Sequence, residues 1–583
     1  MQSHRTSHGD RAPRPLARII GAAIGLVVVP ALFFVLLEGG LRLGGYGVNT
    51  DLVLDDDGGT CHLNADVAQR YFSPPLRSIQ PSIGFRVFDR AKTPGALRVF
   101  VLGESTTAGF PFHVNGSFAG FLEDELRAAY PARDIEVINC GMSAISSYVV
   151  LDFARQLVDY QPDLFLVYTG HNEFYGALGA ASARAARPSR ALTLLEMKLA
   201  NLRTYQLVCN TIFRLRPGPA RGTSGQSLMA AMIGNEEVRP DSRLHREAEA
   251  SFRANLSGII EVAQQHHVPV IVATVTSNLR DFPPFDGQDA AAHYRRAQAL
   301  AADSTQTDAA RLEYIRARDL DTVHFRACSR FNDIIREVTT AHHAPLLDMD
   351  AVFASHTPRR VPGTNLFLEH LHPNLRGAML MADAFLDVMQ SEGIVPRNSA
   401  PERSFEQALR DACITPLDLE LARQRIVSMT SQPPFARAFG DHGEFPKATR
   451  DVEQMARRIL ERDIDLAAAH EAMGREYLAA KDLVAALAEF RALAKIYPLS
   501  PSGPINTADI LLQMRRPADA IPWYRTGLAL DPGSVQTRLH LAMAYNAAGD
   551  TRDALAECNR ILAIDPNNTQ TRRLVQRLRA SNG

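Results

Sequence analysis

The sequence predicts a three-layer α/β domain, preceded by one transmembrane helix and followed by an all-α array of repeats. Three observations support this fold class. Short apolar runs alternate with helical stretches, an uncharged apolar segment lies near the N-terminus, and prolines recur at a fixed spacing near the C-terminus. At roughly 100–200 residues per domain, a chain of 583 residues is long enough for several domains.

The apolar runs predict a parallel sheet with helices on both faces, because they are nearly continuous in Val, Ile and Leu. The predicted strands are residues 98–103, 136–141, 164–170, 268–275 and 344–350. Helices are expected over 118–130 and 148–160. The gaps at 176–250 and 286–325 are too long for plain crossovers, so we expect helical insertions that cap the site. The arginines of the first insertion flank an apolar face, so contact with lipid headgroups is an alternative.

Residues 19–37 carry no charged side chain and are long enough to cross a hydrocarbon core of roughly 30 Å. A cleaved signal peptide usually has a shorter apolar stretch. Several arginines precede this segment and several aspartates follow it, so the positive-inside rule keeps the tail cytoplasmic. The sequence therefore predicts a single-pass signal anchor with an extracytoplasmic body, which would be periplasmic in a bacterium.

Near the C-terminus, equivalent residues recur every 34 positions. Four sets share this period: Pro498, Pro532 and Pro566; Ala486, Ala520 and Ala554; Phe490, Tyr524 and Cys558; Gly474, Ala508 and Ala542. Small residues where two helices meet, with proline after the second helix, resemble the tetratricopeptide repeat. Cys558 departs from the pattern at an aromatic position. Such repeats form concave surfaces, which implies a protein partner.

Composition excludes several classes of function. With 63 basic and 64 acidic residues, the chain gives no electrostatic reason to expect nucleic acid as a partner. Its six cysteines show no CxxC spacing, which argues against a zinc ribbon, and their disulfide pairing is left open. His370 and His372 could bind a metal with a carboxylate, but no clear further ligands are present. We therefore predict no metal site and no cofactor.

The first three predicted strands each end at a residue suited to catalysis. Ser105, Gly141 and Asn172 follow these strands, and a 2-1-3-4-5 strand order would place Gly141 and Asn172 on either side of Ser105. A serine that attacks an ester leaves negative charge on oxygen, which needs N–H donors. The candidates are the Asn172 amide and the backbone N–H groups of Ser105 and Gly141. Glycine has no Cβ, so a substrate oxygen is able to approach the Gly141 N–H closely.

A base for Ser105 is expected after the fifth strand. Glu369 and His372 lie three residues apart, directly before a helix that opens at Pro373. In a turn, this spacing lets the carboxylate hold one imidazole nitrogen while the other faces the serine. The three side chains would then act as acid, base and nucleophile.

Four short motifs, Gly-Glu-Ser, Asn-x-Gly, Gly-His-Asn-Glu and Glu-x-x-His-Pro, together resemble the blocks of the SGNH (GDSL) hydrolase family over about residues 98–390. The resemblance implies a flavodoxin-like sheet and an ester-hydrolysing enzyme. It makes Ser105 the nucleophile, His372 the base, Glu369 the acid, and Gly141 and Asn172 oxyanion donors. The sequence departs from the family by carrying Glu where Asp is usual, at positions 104, 173 and 369.

Asn278 and Arg280 follow the fourth strand and are candidates for substrate binding, with an ordinary Arg–Asp loop pair as the alternative. We expect a membrane-anchored serine esterase that hydrolyses or transfers O-acyl groups, with envelope glycans and lipids both open as substrates. The alternative is a non-catalytic repeat scaffold for an envelope complex. The expected segments are tail and anchor (1–44), stalk and lead-in (45–95), hydrolase domain (96–395), helical linker or degenerate repeat (396–464), and repeats (465–583).

Overall fold

The computed structural model describes residues 24–72, 76, 81–182, 189–215, 237–397, 403–435 and 445–580. The predicted cytoplasmic tail, the first residues of the predicted span (19–23) and most of the Gly/Ser-rich part of the first insertion lie outside the described residues.

A five-stranded parallel sheet lies at the centre of the α/β domain. The strands are β4 (Leu97–Gly103), β5 (Ile135–Gly141), β6 (Leu164–Tyr168), β7 (Val270–Ala273) and β8 (Leu346–Leu347). Their order in the sheet is β5-β4-β6-β7-β8, which confirms the predicted 2-1-3-4-5 order. Gly103 at the end of β4 pairs with Gly141 on β5 and with Tyr168 on β6, so three strands end at the same edge.

Helices pack in two groups around this sheet, which gives the three predicted layers. The helices of this domain are α2 (Ser105–Ala108), α3 (Phe118–Ala129), α4 (Ser147–Leu157), α5 (Arg190–Leu199), α6 (Arg203–Leu215), α7 (Arg243–Gln265), α8 (Gln288–Ala301), α9 (Thr307–Asp319), α10 (Ser329–Ala341), α11 (Met349–Ser355) and α12 (Leu375–Ser391). In one group α3 packs against α12, with Phe118 and Phe385 stacked at 5.3 Å between ring centroids. In the other group α7 packs against α4 and α10.

Residues 45–95 differ from the expected loop-like stalk. They contain a three-stranded antiparallel sheet of β1 (Val53–Asp55), β2 (Thr60–Leu63) and β3 (Val87–Asp89). Cys61 and Phe88, paired across β2 and β3, are buried in the same apolar core as the parallel sheet. The strands are too short for a periodic pattern to reveal them among Gly and Asp residues.

The predicted helical insertions are present. The second forms the antiparallel pair α8 and α9, and the first contributes α5 and α6 before α7 begins. Upstream, α1 (Val29–Leu43) continues a π-helical turn, and together they include one helix, Gly25–Leu43, long and apolar enough to cross a membrane. No residue of α1 is buried.

Among the described residues after 403, every secondary-structure element is a helix. Close packing between helices explains the small residues at the repeating positions. A Cβ on Gly474, for example, would lie 2.6 Å from the Phe490 ring. Ala508, Ala542 and Cys558 are fully buried. The helices are α13 (Phe405–Asp411), α14 (Pro416–Thr430), α15 (Arg450–Leu460), α16 (Leu466–Ala479), α17 (Leu483–Ile496), α18 (Ser502–Gln513), α19 (Pro517–Leu530), α20 (Val535–Ala547), α21 (Thr551–Ile564) and α22 (Thr569–Ala580).

Helix α14 belongs to two apolar cores. Ala422 and Ile426 pack in the core of the α/β domain, while Leu417 and Leu421 pack with residues of α15 and α16. Residues of the expected linker therefore join the α/β domain directly to the repeats.

Candidate active site

Ser105 lies at the abrupt end of the central strand β4. The turn requires Gly103, because a Cβ there would lie 2.2 Å from both Thr107 Oγ1 and the Tyr168 carbonyl oxygen. Glu104 is the N-cap residue of α2 and Ser105 is its first residue, so the Ser105 N–H has no partner within the helix. The strand-to-helix turn thus presents both the hydroxyl and the N–H of Ser105 at the sheet edge.

Glu104 organises the neighbouring loop after β6. Its carboxylate accepts hydrogen bonds from Thr169 Oγ1 (2.8 Å), the Gly170 N–H (2.9 Å), the His171 N–H (3.1 Å) and Asn172 Nδ2 (3.3 Å). Burial raises the pKa of Glu104 to about 7, although these donors oppose the shift. The glutamate in place of the usual aspartate therefore positions Asn172.

The Asn-x-Gly motif has a structural role. The Gly141 N–H donates to Asn139 Oδ1 at 2.8 Å, and Asn139 Nδ2 donates to the Thr107 carbonyl at 2.6 Å. A Cβ on Gly141 would lie 2.2 Å from the Ala108 nitrogen, so this glycine lets α2 pack against β5. Gly141 does not line the cavity beside Ser105, in contrast to its expected role as an oxyanion donor.

Ser105, His372 and Glu369 form a continuous hydrogen-bonded chain. The Nε2 atom of His372 lies 2.7 Å from Ser105 Oγ, and its Nδ1 atom lies 2.5 Å from Glu369 Oε1. The Glu369 carboxylate also accepts hydrogen bonds from the backbone N–H groups of His370 (2.7 Å) and His372 (2.9 Å). The extra methylene of Glu369 is thus accommodated within the turn.

The imidazole of His372 is buried, and its environment keeps it neutral. The Phe110 ring packs against it with 4.7 Å between centroids. Burial lowers the pKa of His372 to about 3, so at neutral pH this side chain is able to accept a proton.

His370 lies on the opposite side of the same carboxylate. Its Nδ1 atom contacts Glu369 Oε2, and burial lowers its pKa well below the usual range. Glu369, His370 and His372 offer ligand atoms within 4.8 Å of one another, which is the cluster considered above as a metal site. Both carboxylate oxygens already accept hydrogen bonds within the turn, an arrangement suited to holding an imidazole base.

Ala144 is a residue that sequence reasoning missed. It lines the cavity beside Ser105 and has a left-handed backbone with φ of 58°. Its carbonyl accepts from the Ala177 N–H at 2.8 Å, and the hydrogen bonds of the described residues leave its own N–H unused. A positive φ at a non-glycine residue is strained and often marks a functional site, but it is invisible in the sequence.

Asn278 and Arg280 make structural contacts and do not line the cavity. Asn278 Nδ2 donates to the Glu369 carbonyl at 2.9 Å, which supports the turn that carries the acid and base. Arg280 pairs with Asp281 at 2.9 Å, as the loop-pair alternative predicts.

A cavity of about 280 Å³ opens beside Ser105. Asn172, His372 and Ala144 line it on the catalytic side, and Phe110, Tyr175 and Phe325 add aromatic surface. The rest of the lining comes from α14 and from Leu460 at the end of α15. Neither predicted insertion contributes a helix to this lining, so the cover comes from the C-terminal helices instead.

Two family models match separate parts of the chain. Residues 101–380 match the model of the GDSL-like Lipase/Acylhydrolase family, and residues 511–578 match a tetratricopeptide repeat model. No curated protein matches the chain in sequence.

Solved structures resemble separate parts of the chain at low identity. A lipase/acylhydrolase from Enterococcus faecalis is 16% identical, with a TM-score of 0.27, over 53% of this chain and 100% of that one. The esterase EstA from Pseudoalteromonas sp. is 13% identical, with a TM-score of 0.25, over 51% and 99%. The first tetratricopeptide domain of human RPAP3 is 18% identical, with a TM-score of 0.19, over 20% and 91%.

The family match covers the end of β4, the other four strands of the parallel sheet, the serine turn and the Glu369–His372 turn. Residues 101–380 are thus a domain of the GDSL-like lipase/acylhydrolase family, whose members act on ester bonds, followed by tetratricopeptide repeats.

Proposed function

We propose that the chain is a serine esterase that forms an acyl-enzyme on Ser105. The observation that supports this most directly is the 2.7 Å contact between His372 Nε2 and Ser105 Oγ, with Glu369 on the other imidazole nitrogen. A free serine hydroxyl is a weak nucleophile, and an adjacent neutral imidazole activates it.

In the proposed reaction, Ser105 Oγ attacks the ester carbonyl carbon while its proton passes to His372 Nε2. The negative charge on the carbonyl oxygen meets the N–H groups of Ser105 and Asn172, and we assign the third donor to the Ala144 N–H in place of Gly141. The protonated imidazole then returns the proton to the departing alkoxide. A water molecule or an acceptor alcohol then attacks the acyl-serine and gives its proton to His372. His372 passes this proton to Ser105 Oγ as the bond between the serine and the acyl group breaks, which releases the acyl group as an acid or a new ester.

The test uses the full chain in nanodiscs, a short-chain aryl ester and a serine-directed phosphonate. We expect turnover by the wild type, loss of turnover in Ser105→Ala, and phosphonate attached to Ser105. The control is Ser391→Ala, a variant of an exposed serine at the end of α12 that does not line the cavity, and it should keep full activity. A folded wild type that neither turns over nor reacts would instead support the scaffold function of the repeats.

We further propose that α1 anchors the protein in a membrane and that α6 lies on the membrane surface beside it. The Glu38 carboxylate near the end of α1 accepts hydrogen bonds from the Arg203 N–H (3.0 Å) and the Thr204 N–H (2.9 Å), at the start of α6. Exposed Val208, Ile212 and Leu215 lie on one face of α6, at the helical spacing of a surface helix. This arrangement supports the lipid alternative for the first insertion.

To test the membrane proposal, purified protein without nanodiscs is mixed with anionic vesicles. The fraction of the protein that floats with the vesicles is then measured. A Val208→Asp/Ile212→Asp variant should float less than the wild type. The control is Val484→Asp, an exposed valine on the repeats, and it should float like the wild type. Equal flotation of all three proteins would leave α1 as the sole membrane contact and contradict the surface role of α6.

A further inference from the structure

Helices α14 and α15 give the catalytic cavity a wall that neither family match includes. The hydrolase match ends at residue 380 and the repeat match begins at residue 511. Arg425, Ser428 and Met429 of α14 and Leu460 of α15 nevertheless line the cavity beside Ser105. The substrate that reaches the serine must therefore fit chemistry supplied by these helices.

Most of this wall is apolar. Met429 packs against the core of the α/β domain, and Leu460 is 38% exposed at the cavity. Phe110 and Phe325 face the same space from the α/β domain. Apolar surface left uncovered beside a catalytic serine gains free energy by burying an apolar chain.

Arg425 is the exception in this wall. One guanidinium N–H donates to the Pro111 carbonyl at 2.8 Å, which holds the side chain across the boundary between the two domains. The charge of Asp418 on the same helix acts on Arg425, but among the described residues no carboxylate forms an ion pair with Arg425. Nearby Arg423, in contrast, pairs with Glu420 at 2.7 Å. A guanidinium has five N–H donors, and carboxylates and phosphates are its preferred partners. An unpaired cation in a largely apolar cavity therefore provides a site for an anionic group.

We propose that the cavity takes an ester that carries both an apolar chain and an anionic phosphate or carboxylate, with the anion on Arg425 and the chain against Met429 and Leu460. This inference rests on the proposed function, because it names the substrate class of the same cavity. It also gives α14 and α15 a role in specificity as well as in joining the two domains.

Binding of three small probes tests the proposal on the full chain in nanodiscs, by calorimetric titration with empty nanodiscs as the blank. Hexyl phosphate carries both features, inorganic phosphate only the anion, and hexanol only the chain. We expect hexyl phosphate to bind at least about tenfold more tightly than either of the other two probes. Comparable binding of inorganic phosphate would show a plain anion site and overturn the proposal.

Matched variants assign the two features. Arg425→Gln should weaken the binding of hexyl phosphate about tenfold or more and leave the binding of hexanol unchanged. Arg423→Gln, on the same helix, should change the binding of neither probe. Met429→Trp should weaken the binding of hexyl phosphate and of hexanol and leave the binding of inorganic phosphate unchanged. Val427→Trp, outside the cavity lining, should change the binding of none of the three probes. Unchanged hexyl phosphate binding in Arg425→Gln would overturn the assignment of the anion.

The same titration on Ser105→Ala separates this inference from the proposed function. Binding that persists in Ser105→Ala, together with a wild type that turns over no ester, would contradict the esterase and leave the binding site standing. Turnover of a neutral short ester without any preference for hexyl phosphate would contradict the binding site and leave the esterase standing.

Discussion

The side-chain amide of Asn172 is oriented by a hydrogen bond to the carboxylate of Glu104. Its Nδ2 atom donates to Glu104 at 3.3 Å, and the side chain lines the cavity beside Ser105. Because the amide carries two N–H groups, one can be held by Glu104 while the other faces a developing oxyanion. The carboxylate thus orients the amide before the substrate arrives.

We expect Asn172→Ala to lower kcat by about 10²–10³ with little change in KM, because an oxyanion donor acts mainly in the transition state. Steady-state kinetics with an aryl ester measure the effects on kcat and on KM separately. Asn506→Ala, on the repeat helix α18, is the control and should match the wild type. A variant that raised KM at constant kcat would mean that Asn172 binds the ground state instead.

The burial of His372 determines how we expect kcat/KM to depend on pH. The base works only when neutral, and an imidazole with an ordinary pKa of about 6.5 would lose activity below that pH. Since burial lowers the pKa of His372 to about 3, the neutral form persists far below pH 6.5. We expect kcat/KM to stay nearly constant from about pH 8 down to about pH 5.

A pH profile of kcat/KM for a neutral ester checks this expectation, with circular dichroism at each pH to confirm folding. His372→Ala should be inactive across the range, which links the profile to the base. Because the pKa of Glu104 is raised to about 7, Glu104→Gln is measured in parallel. An acid limb near pH 6.5 that persists in Glu104→Gln would contradict a depressed pKa at His372.

At the scale of elements, α14 is held to the repeats by a buried ionic cluster. His470 on α16 lies 2.6 Å from Glu489 on α17 and 3.5 Å from Asp418 on α14. Burial disfavours the charged imidazole, but the two carboxylates outweigh it and raise the pKa of His470 to about 10. The cation therefore links α14, which lines the cavity, to α16 and α17.

We expect His470→Gln to lower the free energy of unfolding by about 3–5 kcal/mol at pH 7, because it leaves two buried carboxylates without a cation. The folded pKa exceeds the unfolded value, so this stabilisation is complete below about pH 6.5 and is lost as pH rises towards 10. Denaturant unfolding at several pH values should show the gap between wild type and variant narrowing above pH 7.

His540→Gln is the control for this prediction. His540 pairs with Asp509 at 2.8 Å, but its side chain is 29% exposed, so its loss should cost about 1 kcal/mol or less. A gap that widened from pH 7 to pH 10 for His470→Gln would contradict a stabilising imidazolium.

At the scale of the whole molecule, the repeats dock on the α/β domain through charged contacts at its edge. Lys495 on α17 lies 2.6 Å from Asp124 on α3 and also donates to the Asp411 carbonyl at 2.9 Å. Arg403 lies 3.2 Å from Glu125 on the same helix α3. These contacts join the repeats and the segment before α13 to the domain whose cavity α14 and α15 line.

A double-mutant cycle on Lys495→Ala and Asp124→Ala should give a coupling energy of about 0.5–3 kcal/mol, because the pair is largely shielded from solvent. Thermal unfolding of the four proteins measures it. The control cycle uses Arg516 and Asp519, an exposed pair within one repeat that should couple by less than about 0.5 kcal/mol. Equal coupling in the two cycles would mean that Lys495 contributes no more than a surface ion pair.

The sequence by itself determined the buried parallel strands and the register of the repeats, and it predicted the partnership of Ser105 with His372 and Glu369. These features leave local signals, since buried parallel strands are continuous apolar runs and helix contacts require small residues at a fixed period. The roles of Gly141, Asn278 and Arg280 were decided only by the tertiary structure. A glycine beside a strand end supports close packing and oxyanion binding equally well in sequence, and its hydrogen bond to Asn139 separates the two.

The tertiary structure alone also decided what covers the active site. Arg425 and Met429 lie more than three hundred residues from Ser105 in the chain, and no pattern in α14 points to a distant serine. Their approach depends on the shared core at Ala422 and Ile426 and on the docking of the repeats, which are contacts between remote segments. Local periodicity predicts which residues a helix buries, but the surface that it meets is set by the packing of the whole chain.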